Sequence, residues 1–219
     1  MDPRVPEILT SVVGLHPASG QETVLAACSC DDYTLDVLEE SIRRVAESVK
    51  TSLGDGAEAW QPRLTSRVWS REGLSPCHNL SADTIRMIGS ISGSLDFAEQ
   101  RRNGDDESGC DADPQVPDIE GQSPELVVLF VGNCPDTGKE SVIAKAVSQQ
   151  YSLENQQACV AESIQLAQAE LQGATPLWQP QVGVRLSSDR GVLPAMQLSA
   201  ELVQRMAACE ASLDFDPYV

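Results

Sequence analysis

The chain repeats itself. Slid by 118 positions, residues 6–97 fall on residues 124–215 without a gap, and landmarks coincide along the whole overlap. Trp60-Gln61-Pro62 meets Trp178-Gln179-Pro180, Leu80-Ser81-Ala82 meets Leu198-Ser199-Ala200, and Ser94-Leu95-Asp96-Phe97 meets Ser212-Leu213-Asp214-Phe215. Gly14, Pro17, Gly20, Tyr33, Leu35, Gly73 and Pro76 meet Gly132, Pro135, Gly138, Tyr151, Leu153, Gly191 and Pro194. About a quarter of the aligned positions are identical, against roughly a twentieth by chance, and a period this long marks a whole-domain duplication rather than a solenoid. The organisation read from this is a first repeat over 1–97, an acidic linker over 98–123 and a second repeat over 124–219. A unit of this size buries only a modest share of its surface and is marginal alone. The two copies are therefore expected to pack on each other as an intramolecular pseudo-dimer.

Charge narrows the partners. The formal net charge is −18, and each of the three segments carries −6 of it. Binding nucleic acid by neutralising phosphates needs a basic patch, and none is present. Anionic membrane surfaces are disfavoured for the same reason, and no apolar run has the length to span a bilayer. A basic protein partner is favoured, because a strong negative field speeds its approach. The cysteines, Cys28, Cys30, Cys77, Cys110, Cys134, Cys159 and Cys209, are odd in number, and none recurs at an aligned position. The first residues lack a basic n-region and an apolar h-region. Reduced thiols in a cytoplasmic protein are the expectation.

Hydrophobic patterning gives the elements. Leu126-Val127-Val128-Leu129-Phe130-Val131 is a buried strand stopped by Gly132, and a helix is expected over 139–150. Tyr151 to Leu171 forms an amphipathic helix with Leu153, Val160, Ile164, Ala167 and Leu171 on one face; the first copy sets Leu35, Ile42, Ala46, Val49 and Leu53 there and adds Leu38 and Val45. Val182, Val184 and Leu186 alternate as a strand, and a turn over 188–191 leads to a short strand at Met196. Ser199 and Ser81 are N-caps, with Glu201 and Asp83 in the first turns. Val203, Met206, Ile85 and Ile88 mark the buried sides, and a last strand runs through Leu213 and Phe215. Strand, helices, strand, strand, helix, strand is α+β, and a ferredoxin-like βαββαβ sandwich is its natural arrangement. Helices would cover one face of an antiparallel sheet, and the other face is where the copies are expected to meet.

Few motifs carry chemistry. Gly132-Asn133-Cys134-Pro135-Asp136-Thr137-Gly138-Lys139-Glu140 has the look of a phosphate loop, but it holds one residue too many between its glycines. Glu140 also stands where a metal-binding hydroxyl is required. Cys28-Ser29-Cys30 lacks the second ligand pair of a structural zinc site, and its thiols are read as lying on or near a helix. His16 and His78, the only histidines, face Cys134 and Met196 in the other copy, and His78 is expected to be exposed. No cofactor, metal or catalytic set is assigned. Asp96 and Asp214 recur within Ser-Leu-Asp-Phe, and Asp214 and Asp216 share a strand face opposite Leu213 and Phe215. Trp60 and Trp178 are read as packing residues, and Trp69, present in one copy only, as an exposed anchor for a partner. The residues assigned to partner binding are Trp69, Asp96, Asp214, Asp216 and Tyr218.

Leu198-Ser199-Ala200-Glu201-Leu202-Val203 and Ala211-Ser212-Leu213-Asp214-Phe215-Asp216-Pro217-Tyr218 resemble the carboxy-terminal signature of a bacterial family, domain of unknown function 4279. That signature is a helix opening with Leu-Ser-Pro-Glu or similar, then an Ala-Ser-Leu-Asp-type strand ending in Asp-x-Tyr. The likeness covers the end of the second copy. The first copy departs, with Ala98 and Gln100 at the positions of Asp216 and Tyr218, and the family's tryptophan-bearing segment has no counterpart. The resemblance implies a small α+β bacterial domain without an assigned activity; by analogy it points toward immunity-type accessory proteins. The repeated residues are apolar, glycine, proline and capping types, which are structural. The expectation is thus a non-enzymatic acidic interaction module, in its sharpest form neutralising a basic partner. The alternative is a small-molecule-sensing protein with paired ferredoxin-like domains.

Overall fold

A computed structural model describes residues 7–70, 77–101, 126–172, 174–187 and 195–218. The fold is α+β, with four α-helices and two five-stranded sheets among the described residues. The first half comprises β1 (Ile8–Leu15), β2 (Glu22–Cys30), α1 (Leu35–Leu53), a 3-10 helix (Gly54–Trp60), β3 (Arg63–Ser70), β4 (His78–Leu80), α2 (Ala82–Ser90) and β5 (Ser94–Arg101). The second comprises β6 (Leu126–Asn133), β7 (Glu140–Ser148), α3 (Leu153–Leu171), a 3-10 helix (Thr175–Trp178), β8 (Gln181–Ser187), β9 (Met196–Leu198), α4 (Ala200–Ala208) and β10 (Ser212–Tyr218). Strands β1, β2 and β4 and helices α1 and α2 recur at the 118-residue offset with the same lengths.

Several sequence expectations are corrected. Residues 140–148 form strand β7, paired antiparallel with β6, where a helix was expected. Ser141-Val142-Ile143-Ala144-Lys145-Ala146-Val147 buries Ala144 and Ala146 and exposes Val142, Lys145 and Val147, a two-residue period rich in β-branched side chains. Cys28 and Cys30 accordingly lie on strand β2 rather than by a helix terminus, on the side that faces α1; the Arg44 guanidinium donates to Cys28 Sγ at 3.8 Å. Each half therefore runs ββαββαβ, not βαββαβ, and the sheets are mixed, because β3 pairs with β5 and β8 with β10 in parallel. Residues 98–101 belong to β5, so the segment read as linker begins later; 102–123 lie outside the described residues, as does the turn read over 188–191.

The sheet orders are β2-β1-β3-β5-β9 and β4-β10-β8-β6-β7. The edge strands β4 and β9 are thus exchanged. Leu95, Asp96 and Phe97 of the first half pair with Leu198, Gln197 and Met196 of the second; Leu213, Asp214 and Phe215 of the second pair with Leu80, Asn79 and His78 of the first. Helix α2 carries the chain from the second sheet back to the first, and α4 makes the reverse crossing. The two helices pack on each other where Gly89 meets Ala207: a Cβ on Gly89 would stand 3.3 Å from that of Ala207. The halves therefore meet through helices and exchanged strands, and the uncovered sheet faces stay apart from that contact.

His78 sits at the centre of this seam. It is buried, with its ring edge-on to Phe97 at 4.3 Å and Phe215 at 5.7 Å, which corrects the expectation of an exposed histidine. Met196 occupies the matching place on β9 and is fully buried. One hydrophobic core runs through both halves.

The long helices hold the exchanged strands from the other side. Thr34 and Ser152 cap α1 and α3 by accepting from Val37 N and Asn155 N. Next to those caps, the Tyr33 hydroxyl donates to the Cys77 carbonyl at 2.5 Å and Tyr151 donates to the Ala195 carbonyl, each just before an exchanged strand. Glu39 accepts from the Ser81 amide at 3.0 Å and from the Ser81 and Thr84 hydroxyls, while Gln157 accepts from the Ser199 amide at 3.2 Å. Gln156 accepts from Gln197 N, occupying the outer edge of β9. The buried stripe of α1 is Leu38, Ile42, Val45, Ala46 and Val49, as periodicity indicated; Leu35 and Leu153 at the helix starts are exposed instead. No helix among the described residues is long and apolar enough to cross a membrane.

Residues 1–101 alone leave the β9 side of β5 without a strand. Expressed separately, this segment is expected to form a homodimer in which each β4 pairs with the other copy's β5. Sedimentation velocity reads the outcome, and a stable folded monomer would contradict the exchange as a requirement of the fold.

Candidate functional site

The helices all lie on the core side, so each sheet presents one face outward. On β3 and β5 of the first sheet the outward side chains are Arg63, Thr65, Arg67 and Trp69, then Ser94, Asp96 and Ala98, by alternation with buried Leu64, Ser66, Val68, Leu95 and Phe97. On the second sheet β8 contributes Gln181, Gly183 and Arg185, β10 contributes Ser212, Asp214 and Asp216, and β6 and β7 contribute Val127, Leu129, Val131, Val142, Lys145 and Val147. These last six form cross-strand pairs, Val127 with Val147, Leu129 with Lys145 and Val131 with Val142. Val142 is 60% exposed and Val147 42% exposed, so the apolar stripe is open to water.

The repeated aspartates stand at the seam between the halves. Asp96 lies opposite Gln197 of exchanged β9, and Asp214 opposite Asn79 of exchanged β4. Partial burial pushes the Asp96 carboxyl above its ordinary range, against the pull of Arg63 and Arg67. Burial likewise raises Asp214, the neighbouring Asp216 carboxylate adds to it, and Arg185 opposes. Asp216 accepts a hydrogen bond from the Cys77 thiol at 3.3 Å, and burial together with that acid pushes the thiol up to about 11. The structure thus brings Asp214 and Asp216 together with Cys77 on the second sheet, and sets Trp69 and Asp96 on the first. Trp69 is half-buried at the end of β3. Tyr218 lies on β10 opposite Ser187, and its side chain is outside the described residues.

The glycine-bounded loops are hairpin turns, not strand-to-helix junctions. Cys134 N donates to the Lys139 carbonyl and Gly138 N to the Cys134 carbonyl, with Gly138 left-handed at φ 66°. His16 and Gln21 repeat the same bonding in the first half, with Gly20 at φ 67°. The His16 ring stands edge-on to Trp60 at 5.0 Å. At Cys134 the Thr137 hydroxyl and the Thr137 and Asp136 amides hydrogen-bond the sulfur and hold the thiol below its ordinary value. Among the described residues no group of three or more His, Cys, Asp and Glu is placed to hold a metal ion.

Two features have no counterpart in the sequence reading. One is the open apolar stripe on β6 and β7, because a buried strand and a half-open one share the same run of β-branched residues. The other is a pair of clefts at equivalent ends of the two sheets. The larger, about 530 Å³, is lined by Gly14, Glu22, Gln61 and Arg63 and closed by Glu201 and Gln204 of α4. The smaller, about 200 Å³, is lined by the matching Gly132, Glu140, Gln179 and Gln181. Gln61 and Gln179 are both left-handed at φ 47°, turning the chain out of each 3-10 helix into β3 and β8. Gly14 and Gly132 admit no side chain, since a Cβ would stand 3.0 Å from the Trp60 or Trp178 carbonyl.

Comparison with family models, with curated proteins and with solved structures gives no match.

Two outcomes are expected. A carboxyl held above its ordinary value binds its proton more tightly in the folded chain than in the unfolded one. Stability then falls as pH rises from the ordinary carboxylate range through the raised value. Asp96→Asn and Asp214→Asn are therefore expected to raise the thermal midpoint at pH 7 and to lose that advantage below about pH 4, where both states are protonated. Melting curves across pH decide it, and a loss of stability at pH 7 would show these acids to be structural. Second, iodoacetamide at pH 7 is expected to modify Cys134 well before Cys77 or Cys209, whose thiols are raised. Time-resolved peptide mass spectrometry measures the order, and equal rates would refute it.

Proposed function

We propose that this chain is a non-enzymatic interaction module: a tandem duplication fused into an intramolecular pseudo-dimer, binding a protein through the uncovered face of its second sheet. The observation that carries the reading is the composition of that face. Val127, Leu129, Val131, Val142 and Val147 form an open apolar stripe around Lys145, and Asp214 and Asp216 lie two strands away on the same face, with Arg185 on β8 between. Soluble monomers rarely leave such a stripe uncovered without using it. An apolar centre with an acidic flank fits a partner that offers an apolar anchor ringed by Lys and Arg. The net charge of −18 steers such a partner toward it. In its sharpest form the module neutralises a basic protein, as immunity-type proteins do, and the likeness of the α4–β10 segment to domain of unknown function 4279 belongs with that reading. The free thiols of Cys28, Cys30, Cys77, Cys134, Cys159 and Cys209 suit the cytoplasm.

A second reading, small-molecule sensing, is favoured by the paired clefts at equivalent residues.

The interaction reading is tested by affinity capture from the host lysate with two baits, the wild-type chain and Leu129→Lys, at low and high salt. The expected result is a basic protein retained in stoichiometric amount by the first bait, lost from the second, and weakened by salt. Retention of the same proteins by both baits would exclude the second-sheet face. Leu129 is only half-buried and faces outward, so Lys is expected to leave the fold intact, which circular dichroism verifies.

A further inference from the structure

The two clefts start from one plan and end with different chemistry. Every residue lining the smaller has its equivalent in the larger: Val131, Gly132, Asn133, Glu140, Gln179, Gln181 and Ser212 match Val13, Gly14, Leu15, Glu22, Gln61, Arg63 and Ser94. The difference lies at the wall supplied by the other half. In the larger cleft that wall is α4, whose Gln204 donates to Ser92 Oγ at 3.1 Å. At the equivalent place in the second half the long Arg86 side chain reaches Glu210 at 4.0 Å and Asp83 at 2.6 Å, and the helix takes no part in lining the smaller cleft. One substitution pair, Gln204 and Ser92 for Arg86 and Glu210, thus accompanies the opening of a cavity of ligand size on one side only.

The open cleft is acidic. Its ionisable lining is Glu22, Glu58, Arg63 and Glu201. Arg63 is committed to Glu22 at 3.2 Å, and Glu58 and Glu201 have no cationic partner among the described residues. Glu58 comes from the first half and Glu201 from the second. Val13, Leu15, Pro62 and Ala200 supply apolar surface in the same lining. The N-terminus of α4 is already satisfied by Ser199, which accepts from Leu202 N, so the helix end does not call for an anion.

We infer that this cleft binds a short aliphatic di- or polyamine, one ammonium at Glu58 and another at Glu201, with the methylene stem along the apolar floor. This rests on the small-molecule reading and assigns it a ligand class. Because the two carboxylates come from different halves, the ligand would tie the halves together.

The test is isothermal titration with spermidine and putrescine at physiological salt, on the full chain. Three proteins are compared: wild type, Glu58→Gln/Glu201→Gln, and a control of equal charge change on exposed helix faces, Glu47→Gln/Glu162→Gln. Saturable one-site binding is expected for wild type and control, with affinity at least tenfold weaker in the cleft variant. Equal weakening in both variants means diffuse charge attraction and overturns the site. A second panel of citrate, adenosine and free amino acids separates the two levels of the claim. If one of these binds and is displaced by the plugging variant Ser92→Trp while amines do not bind, the cleft reading stands and the amine class falls. If neither panel binds, both fall.

Discussion

Two strands of three residues hold this molecule together. β4 and β9 each leave the half that encodes them and complete the sheet of the other. Three-pair ladders are weak by themselves, so their stability comes from the side chains they carry inward. Leu80 and Leu198 are fully buried, and each contributes roughly 2 kcal/mol by its removal from water. His78 lies against the Phe97 and Phe215 rings, and Met196 pairs with Phe97 from β9. Tyr33, Tyr151, Glu39 and Gln157 then fix the backbone on either side of the exchanged strands, so the short ladders are bounded by hydrogen bonds at both ends. At Glu39 burial pushes the carboxyl upward, but the Ser81 and Thr84 bonds outweigh it and hold it below its ordinary value. That contribution is present at neutral pH and is lost as pH falls through the lowered value.

The sequence marks which positions recur, and the structure supplies their reasons. The repeated Gly14 and Gly132 are required because the Trp60 and Trp178 carbonyls press against β1 and β6. The repeated Tyr33 and Tyr151 grip the exchanged strands, and the repeated Ser81 and Ser199 cap α2 and α4. Identity at these positions reflects backbone geometry, which is why the repeat was visible while its topology was not. A ladder of three residues has no period to detect, and which sheet it joins depends on contacts a hundred residues away. Residues 140–148 read as helix because Ala144, Lys145 and Ala146 favour helix locally, while the pairing with β6 decides the outcome. In α3 the buried Gln156 and Ser163 stand where Leu38 and Val45 mark the same face of α1, so its stripe is only half readable.

The candidate sites were less legible, for a related reason. Asp96 and Asp214 stand out as a repeated motif, and the structure gives both the same place beside an exchanged strand. The features that differ between the halves, Leu129 and Val147 in place of Ser11 and Ser29 on the outward face and Gln204 with Ser92 beside the larger cleft, are single-copy substitutions. Self-comparison discards those by construction. The two halves share one order of elements and differ in what they set on their outward faces.

The exchange also orders events on the ribosome. β5 is complete at Arg101, but its neighbour β9 is not translated until Met196 to Leu198. At the usual pace of synthesis that gap is roughly five to twenty seconds. Throughout it the first sheet has an open edge at β5, with Phe97 lacking the strand that covers it, and β4 has no sheet to join. The strongly acidic stretch over 102–123 emerges directly behind that edge. On a polysome, where identical nascent chains sit side by side, the first half of one chain therefore meets the next with that edge still open.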